Sequence, residues 1–338
     1  MDSRNRHNRM ILALLAVLLP LGVLLSLTLG RYSLSVGEVA RILSGKILAV
    51  EKTWPPMAEN ILWQVRLPRI LAAVLVGAAL SVSGAAYQSA FHNPMAAPDV
   101  LGASSGAGFG AALAILLGKG SFAVMAAAFL GGLACVTLAL LAARFSRADR
   151  VLSLILSGIL AGSLFQAGTS YLKLIADPRN TLPEITYWLM GSLSGVKTEE
   201  LRLLVLPLLL GFVPIFLLRW RMNLLSLGDV EARSLGVNPA RVRIALIACS
   251  TLLTAASVAL CGVVGWVGLV VPHLARRLVG NDGRALLPAS FLLGGLFLLL
   301  VDDLARSLYT TELPLGILTA VIGAPFFLLL LSRRGGAV

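Results

Sequence analysis

Runs of about twenty apolar residues recur from one end of this 338-residue chain to the other. A helix needs roughly 20 mostly apolar residues to cross the hydrocarbon core of a bilayer, so each run reads as a transmembrane span. The candidate spans are 10–30, 68–91, 97–118, 121–143, 151–175, 201–218, 241–262, 264–279, 286–305 and 313–332. The eighth is short and interrupted by Pro272. A soluble core could not hide this much apolar surface: 58% of the residues are hydrophobic and 13% charged, against roughly a quarter charged in soluble domains. The expected fold is an all-α polytopic membrane protein of about ten transmembrane helices, a single integral unit over residues 1–338. The basic stretch Arg4 to Arg9 before the first run mimics a signal peptide. The run is long and lacks a small-residue cleavage site, so it reads as an uncleaved first span.

Charge sets the expected orientation. An even number of spans puts both termini on one side. With the N-terminus inside, the inner segments hold 16 of the 28 basic residues and six of the 16 acidic ones. Arginine clusters such as Arg4, Arg6 and Arg9, Arg144, Arg147 and Arg150, Arg219 and Arg221, Arg276 and Arg277, and Arg333 and Arg334 flank the spans. Basic residues at span ends favour the cytoplasmic side, so both termini are expected in the cytoplasm of a cell inner membrane. These arginines border lipid and form no separable basic domain, which argues against nucleic-acid binding.

Two connections exceed the rest. Residues 31–66 carry the breaker Trp54-Pro55-Pro56, and residues 176–200 carry Tyr187-Trp188, an aromatic pair suited to the membrane interface and to a short helix lying there. Gly102, Gly106 and Gly110 recur every fourth residue, as do Gly158 and Gly162. Such faces let helix backbones approach closely, either within the chain or at a subunit interface or pathway. Cys135, Cys249 and Cys261 all lie in apolar runs without metal-ligand spacing, so they read as packing residues and no metal site is expected.

No nucleotide-binding loop is present: the Gly-Lys pairs at 45–46 and 118–119 lack the surrounding P-loop frame. ATP and Mg, if they drive this protein, belong to a separate subunit, and no cofactor is expected in this chain. An ion-coupled carrier usually keeps ionisable groups near mid-membrane. Here Gln88, Gln166 and Lys173 read as lying toward span ends, and Asp302, Asp303 and Arg306 close the ninth span. Ser104 or Ser105 with His273 could form an intramembrane serine protease only through a buried Ser–His hydrogen bond. The most informative inner segment is 224–243. Leu227, Val230 and Leu235 share part of a face there, Asp229, Glu231 and Arg233 supply charge, and Gly236 and Asn238-Pro239 supply a stop and a restart. It reads as an interfacial connector or as a coupling helix for a cytoplasmic partner.

Eight segments, in order, resemble the FecCD-type permeases, the type II ABC importers of iron–siderophore complexes, haem and vitamin B12. They are Arg66-Leu67-Pro68-Arg69, Asn93-Pro94-Met95-Ala96-Ala97-Pro98, Leu101 to Gly108, Trp188-Leu189-Met190-Gly191-Ser192-Leu193, Leu227 to Gly236, Gly268-Leu269-Val270-Val271-Pro272-His273, Asp302 to Arg306, and Glu312-Leu313-Pro314-Leu315-Gly316-Ile317. The resemblance implies the type II importer permease fold with ten helices. It further implies pairing with a second copy around a central pathway, a cytoplasmic ATPase dimer beneath and a periplasmic or lipid-anchored substrate-binding protein above. By position, Arg66, Arg69 and Arg306 match residues that receive acidic groups of the binding protein, although Arg66 and Arg69 could instead anchor a span at the headgroups. Leu227, Gly228, Asp229, Glu231, Ala232, Arg233, Leu235 and Gly236 match the segment that couples to the ATPase. A ferric siderophore is the expected cargo, with haem, a corrinoid or molybdate as alternatives.

Overall fold

The computed structural model describes residues 2–30, 32–46, 52–146, 149–308 and 311–332. Arg147, Arg333 and Arg334 of the basic flanks lie outside them, as does the Arg150 side chain. Among the described residues the chain is helical, with no β-strand. Each of the ten candidate spans coincides with a helix: α1 (Asp2–Thr28), α4 (Leu67–Ala90), α5 (Ala103–Leu116), α6 (Ser121–Phe145), α7 (Arg150–Ile175), α9 (Thr198–Leu217), α12 (Pro239–Cys261), α13 (Val267–Val279), α14 (Gly283–Ser307) and α15 (Leu315–Ser332). Five shorter helices join them: α2 (Val36–Ser44), α3 (Pro56–Asn60), α8 (Thr181–Met190), α10 (Arg219–Leu225) and α11 (Asp229–Ser234).

Seven of the helices are long and apolar enough to cross a membrane. The other three spans are shorter than the apolar runs that announced them. α5 has 14 residues and α13 has 13, so each rises only about 20 Å against a core of about 30 Å. Hydropathy cannot separate helix from apolar coil, and coil precedes both. Residues Pro98–Leu101 form a tight 3-10 turn before α5, and residues 262–265 have no regular structure before α13. Irregular backbone at membrane depth survives only where protein satisfies its polar groups. Here Ser192 N–H donates to Cys261 O (2.7 Å) and Leu315 N–H to Gly191 O (2.9 Å), so three chain breaks bind one another. Gly262 makes the junction possible. Its φ is 72°, and a Cβ there would lie 2.2 Å from Trp188 O.

The two long connections hold more helix than the breakers suggested. Ser35 caps α2 in a reciprocal box with Glu38. After Pro55 the chain re-enters helix at once, twelve residues before the predicted start of the second span, and runs through α3 and a π turn (Ile61–Arg66) into α4. The continuous rod Pro56–Ala90 has 35 residues, about 52 Å. In the second connection, α8 is the short helix the aromatic pair suggested.

α4 is the axis of the fold and is buried along almost its whole length. Two of its glycines admit neighbouring backbones: a Cβ on Gly77 would lie 2.2 Å from Gly294 O of α14, and one on Gly84 would lie 1.8 Å from Gly268 O of α13. Against α12 it presents hydroxyls instead. Ser83 Oγ lies 2.9 Å from Thr254 Oγ1 and donates to Ser250 O (3.1 Å). Around this axis the apolar core forms two large clusters, one toward the end where α4 finishes and one toward the end where it starts.

Candidate functional site

The residues singled out by sequence gather at the two ends of the bundle. One end, where α1, α12 and α14 begin, carries Arg4, Arg6, Arg219, Arg221, Arg233, Arg241, Arg276, Arg277 and Arg284 and is here the arginine-rich face. The far face lies where those helices finish.

At the far face, the C-terminus of α1, the start of α4 and the end of α14 bring Arg66, Arg69 and Arg306 together. All three are buried, at 4%, 7% and 7% exposure. Arg69 bridges two carboxylates, Asp302 Oδ1 at 2.9 Å and Glu312 Oε1 at 2.8 Å. Arg306 pairs with Asp303 and donates to Ser26 O (2.7 Å), while Ser26 Oγ donates to Asp303 Oδ1 (2.6 Å). Arg66 donates to the carbonyls of Leu27 (2.5 Å) and Tyr32. The cluster is thus three arginines against three carboxylates, folded inward. Of its carboxylates only Glu312 is appreciably exposed, and its Oε2 is buried without a hydrogen-bond partner among the described residues.

At the arginine-rich face, α10 and α11 form a hairpin beneath α12. Three exposed apolar side chains, Leu227 (58%), Val230 (70%) and Leu235 (55%), project from it, whereas Ala232 is fully buried. Glu231, Arg233 and Gly236 are exposed as well. α11 stops in a Schellman arrangement: Gly236 N–H donates to Arg233 O (2.9 Å), Val237 N–H to Ala232 O (3.0 Å), and Gly236 has φ 79°. Asn238 then caps α12, with Pro239 in its first turn. Gly228, φ 118°, opens α11, and a Cβ there would meet the Glu231 carboxylate at 2.4 Å.

The residue that anchors this hairpin was counted from sequence only as a flanking charge. Arg243 is 1% exposed. Its Nε donates to Ala90 O at the end of α4 (2.8 Å), and its guanidinium pairs with Asp229 Oδ1 of α11 (2.8 Å). The hydrogen bond from Arg243 holds the Asp229 carboxyl below the ordinary carboxylate range, and the charges of Arg243, His92 and Arg233 act the same way against a small burial penalty. The signal was in the spacing: an acid at the head of one short helix and an arginine at the first turn of the next.

The glycine face Gly102, Gly106 and Gly110 turns into the chain. Cβ atoms on Gly106 and Gly110 would lie 2.2 Å from Gly131 O and 2.0 Å from Ala127 O of α6. Gly102 abuts Cys135 and Gly162. Among the described residues neither Ser104 nor Ser105 has its hydroxyl bonded to His273, which sits on α13 at the arginine-rich face. Gln166, read from sequence as near a span end, lies well inside α7. It is exposed on one stripe with Ser163 and Ser170.

The quoted sequence segments fall on these chain ends and breaks. Asn93 to Pro98 packs through Pro98 against Gly268, while Arg66–Arg69, Asp302–Arg306 and Glu312 build the far-face cluster. The sequence profile described as the FecCD transport family matches residues 18–333. The chain belongs to that family. Among its relatives is the molybdate import system permease protein of Haemophilus influenzae, 43% identical over 324 residues, covering 95% of this chain and 96% of that one. The Fe(3+)-citrate import system permease protein of Bacillus subtilis is 39% identical over 335 residues, covering 98% and 97%. A solved inward-facing transporter of metal-chelate ABC type superposes with a TM-score of 0.86 at 41% identity, over 96% of this chain and 99% of that one. A FecCD-family chain with this fold is a membrane-embedded permease subunit of an ABC importer and not itself an enzyme. Family membership sets aside the ion-coupled carrier and the intramembrane protease.

Proposed function

We propose that two copies of this permease form a pathway that admits a metal chelate from outside the inner membrane and releases it to the cytoplasm by alternating access. The observation that carries the pathway is the stripe on α7. Ser163, Gln166 and Ser170 are exposed on a membrane-spanning helix, and the Gln166 carboxamide has no hydrogen-bond partner among the described residues. Polar groups are costly against lipid and face a bundle interior or a water-filled cavity instead. A second copy laid against α7 supplies that cavity.

On this reading the arginine-rich face is cytoplasmic, in line with the positive-inside rule, and both termini lie there. The exposed apolar trio on α10–α11 docks a dimeric ATPase, which carries the ATP and Mg. Closure of the ATPase pair then biases the permease between outward- and inward-open states. A periplasmic or lipid-anchored binding protein delivers cargo to the far face. Docking through Arg66, Arg69 and Arg306 rests on the resemblance. Because Arg69 is already paired, an incoming acid that reaches it must displace Glu312, the most exposed carboxylate of the set.

The cargo proposed first is a ferric chelate, supported by the iron-citrate relative. Molybdate is the second reading, favoured by 43% identity to the molybdate permease. The test is uptake by proteoliposomes holding the permease with its ATPase and binding protein. ATP-dependent accumulation of a radiolabelled ferric siderophore, unaffected by excess molybdate, supports the first reading. Accumulation of molybdate alone supports the second. Uptake driven by an ion gradient without ATP would overturn both.

A further inference from the structure

Beside the α10–α11 hairpin, and not part of it, lies a cleft of about 450 Å³ between the end of α4, α10 and the end of α13. Its polar lining includes Gln88, His92, Ser226, His273, Arg276 and Arg277, and among the described residues no carboxylate contributes to it. The Arg276 guanidinium donates only to neutral acceptors, Gln88 Oε1 at 3.2 Å and Ala85 O at 3.5 Å. Arg277 is exposed, with no ion pair among the described residues. Two acids of the same face are engaged elsewhere. Asp282 caps α14 and accepts from Asn223 (2.8 Å), and Asp229 is held by Arg243. The wall is also set in place, since Gln88 donates to Leu269 O (3.3 Å) while accepting from Arg276.

A concave site of one charge sign between low-dielectric walls focuses its field and attracts the opposite sign. This one shares the α10 wall with the exposed apolar trio, because Ser226 directly precedes Leu227. We propose that the cleft is the electrostatic half of the ATPase interface and receives an acidic segment of that subunit, while Leu227, Val230 and Leu235 form the apolar half. The inference rests on the reading that an ATPase docks on α10–α11. An acidic protein segment fits better than a lipid phosphate, because the cleft continues the exposed apolar docking patch. Charge pairs across such a surface fix register and encounter rate and are screened by salt.

The test is retention of the co-expressed ATPase on the tagged, detergent-solubilised permease at about 50 mM and about 500 mM salt, where screening changes severalfold. For the unaltered protein, retention falls as salt rises. Arg277→Glu lowers low-salt retention about fivefold, the size of one charge-pair interaction, and flattens the salt dependence, whereas Arg277→Lys behaves like the parent. Arg276→Gln has the same sign. Unchanged retention and salt response in both Arg277→Glu and Arg276→Gln, with ATPase held by the parent, overturn the inference. So does loss of a bound phosphatidylglycerol in native mass spectrometry of Arg277→Glu with retention unaltered, which makes the cleft a lipid-headgroup site. If the unaltered permease retains no ATPase at any salt, the docking reading itself fails instead.

Discussion

Asp302 has no exposed surface, and its charge is balanced within the membrane-spanning bundle mainly by Arg69. Breaking a buried pair by removing one partner costs about 3–5 kcal/mol, because the remaining charge is stranded, whereas replacing both by apolar groups is often near neutral. Arg69→Ala is therefore expected to lower the thermal unfolding temperature in detergent sharply, and the double change Arg69→Met with Asp302→Leu to recover most of the loss. An equal loss in the double variant would show that Arg69 packs rather than neutralises. Glu312→Gln separates bracing from docking: freeing Arg69 of its exposed partner should tighten the binding protein at low salt, and unaltered affinity would assign the cluster to bracing alone. Asp229 offers a pH readout at the opposite face. Its folded pKa lies below the unfolded value, so its anchoring of α11 is present above the ordinary carboxylate range and lost as pH falls through the folded value. A spin label at Ser234 should gain mobility only as pH falls below the ordinary carboxylate value of about 3.9, while Asp229→Asn should already be mobile at neutral pH. These roles were legible only in part. Residue type and position marked Arg66, Arg69 and Arg306, but a sequence does not say that each already has an internal partner. Arg243 was hidden because a buried tie and a headgroup anchor look alike at a span end.

Helices were easier to read than residues, because lipid imposes a length and a hydropathy that coil in water never shows. All ten spans were visible, and so were the Gly236 stop and the Asn238-Pro239 restart, where cap chemistry is local. The starts of α5 and α13 were misplaced, because hydropathy is blind to the irregular and 3-10 segments that tertiary hydrogen bonds satisfy. The α4 glycines were missed for another reason. Gly77 and Gly84 are seven residues apart, a heptad rather than a four-residue repeat, yet they carry helix contacts as close as those of the Gly106 and Gly110 face. On α7 the polar stripe yields a directional test. If Gln166 lines a pathway, Gln166→Leu should reduce transport severalfold with the ATPase still bound and the fold intact. If it faces lipid, the same change should be neutral or raise the unfolding temperature.

At the scale of the whole molecule, the far-face ion cluster and the α11 anchor are attached to the same helix. Arg66 and Arg69 stand where α4 begins within the Pro56–Ala90 rod, and Ala90 O at the rod's far end receives Arg243, which holds Asp229. Glycine contacts with α13 and α14 seat the rod closely along its length. Mechanically it resembles a tie beam: a helix fastened at both faces and wedged between its neighbours is expected to move as one stiff piece. On the docking proposed above, a displacement at the far face would then reach the arginine-rich face through the beam as a whole, with no relay of side chains between the two ends.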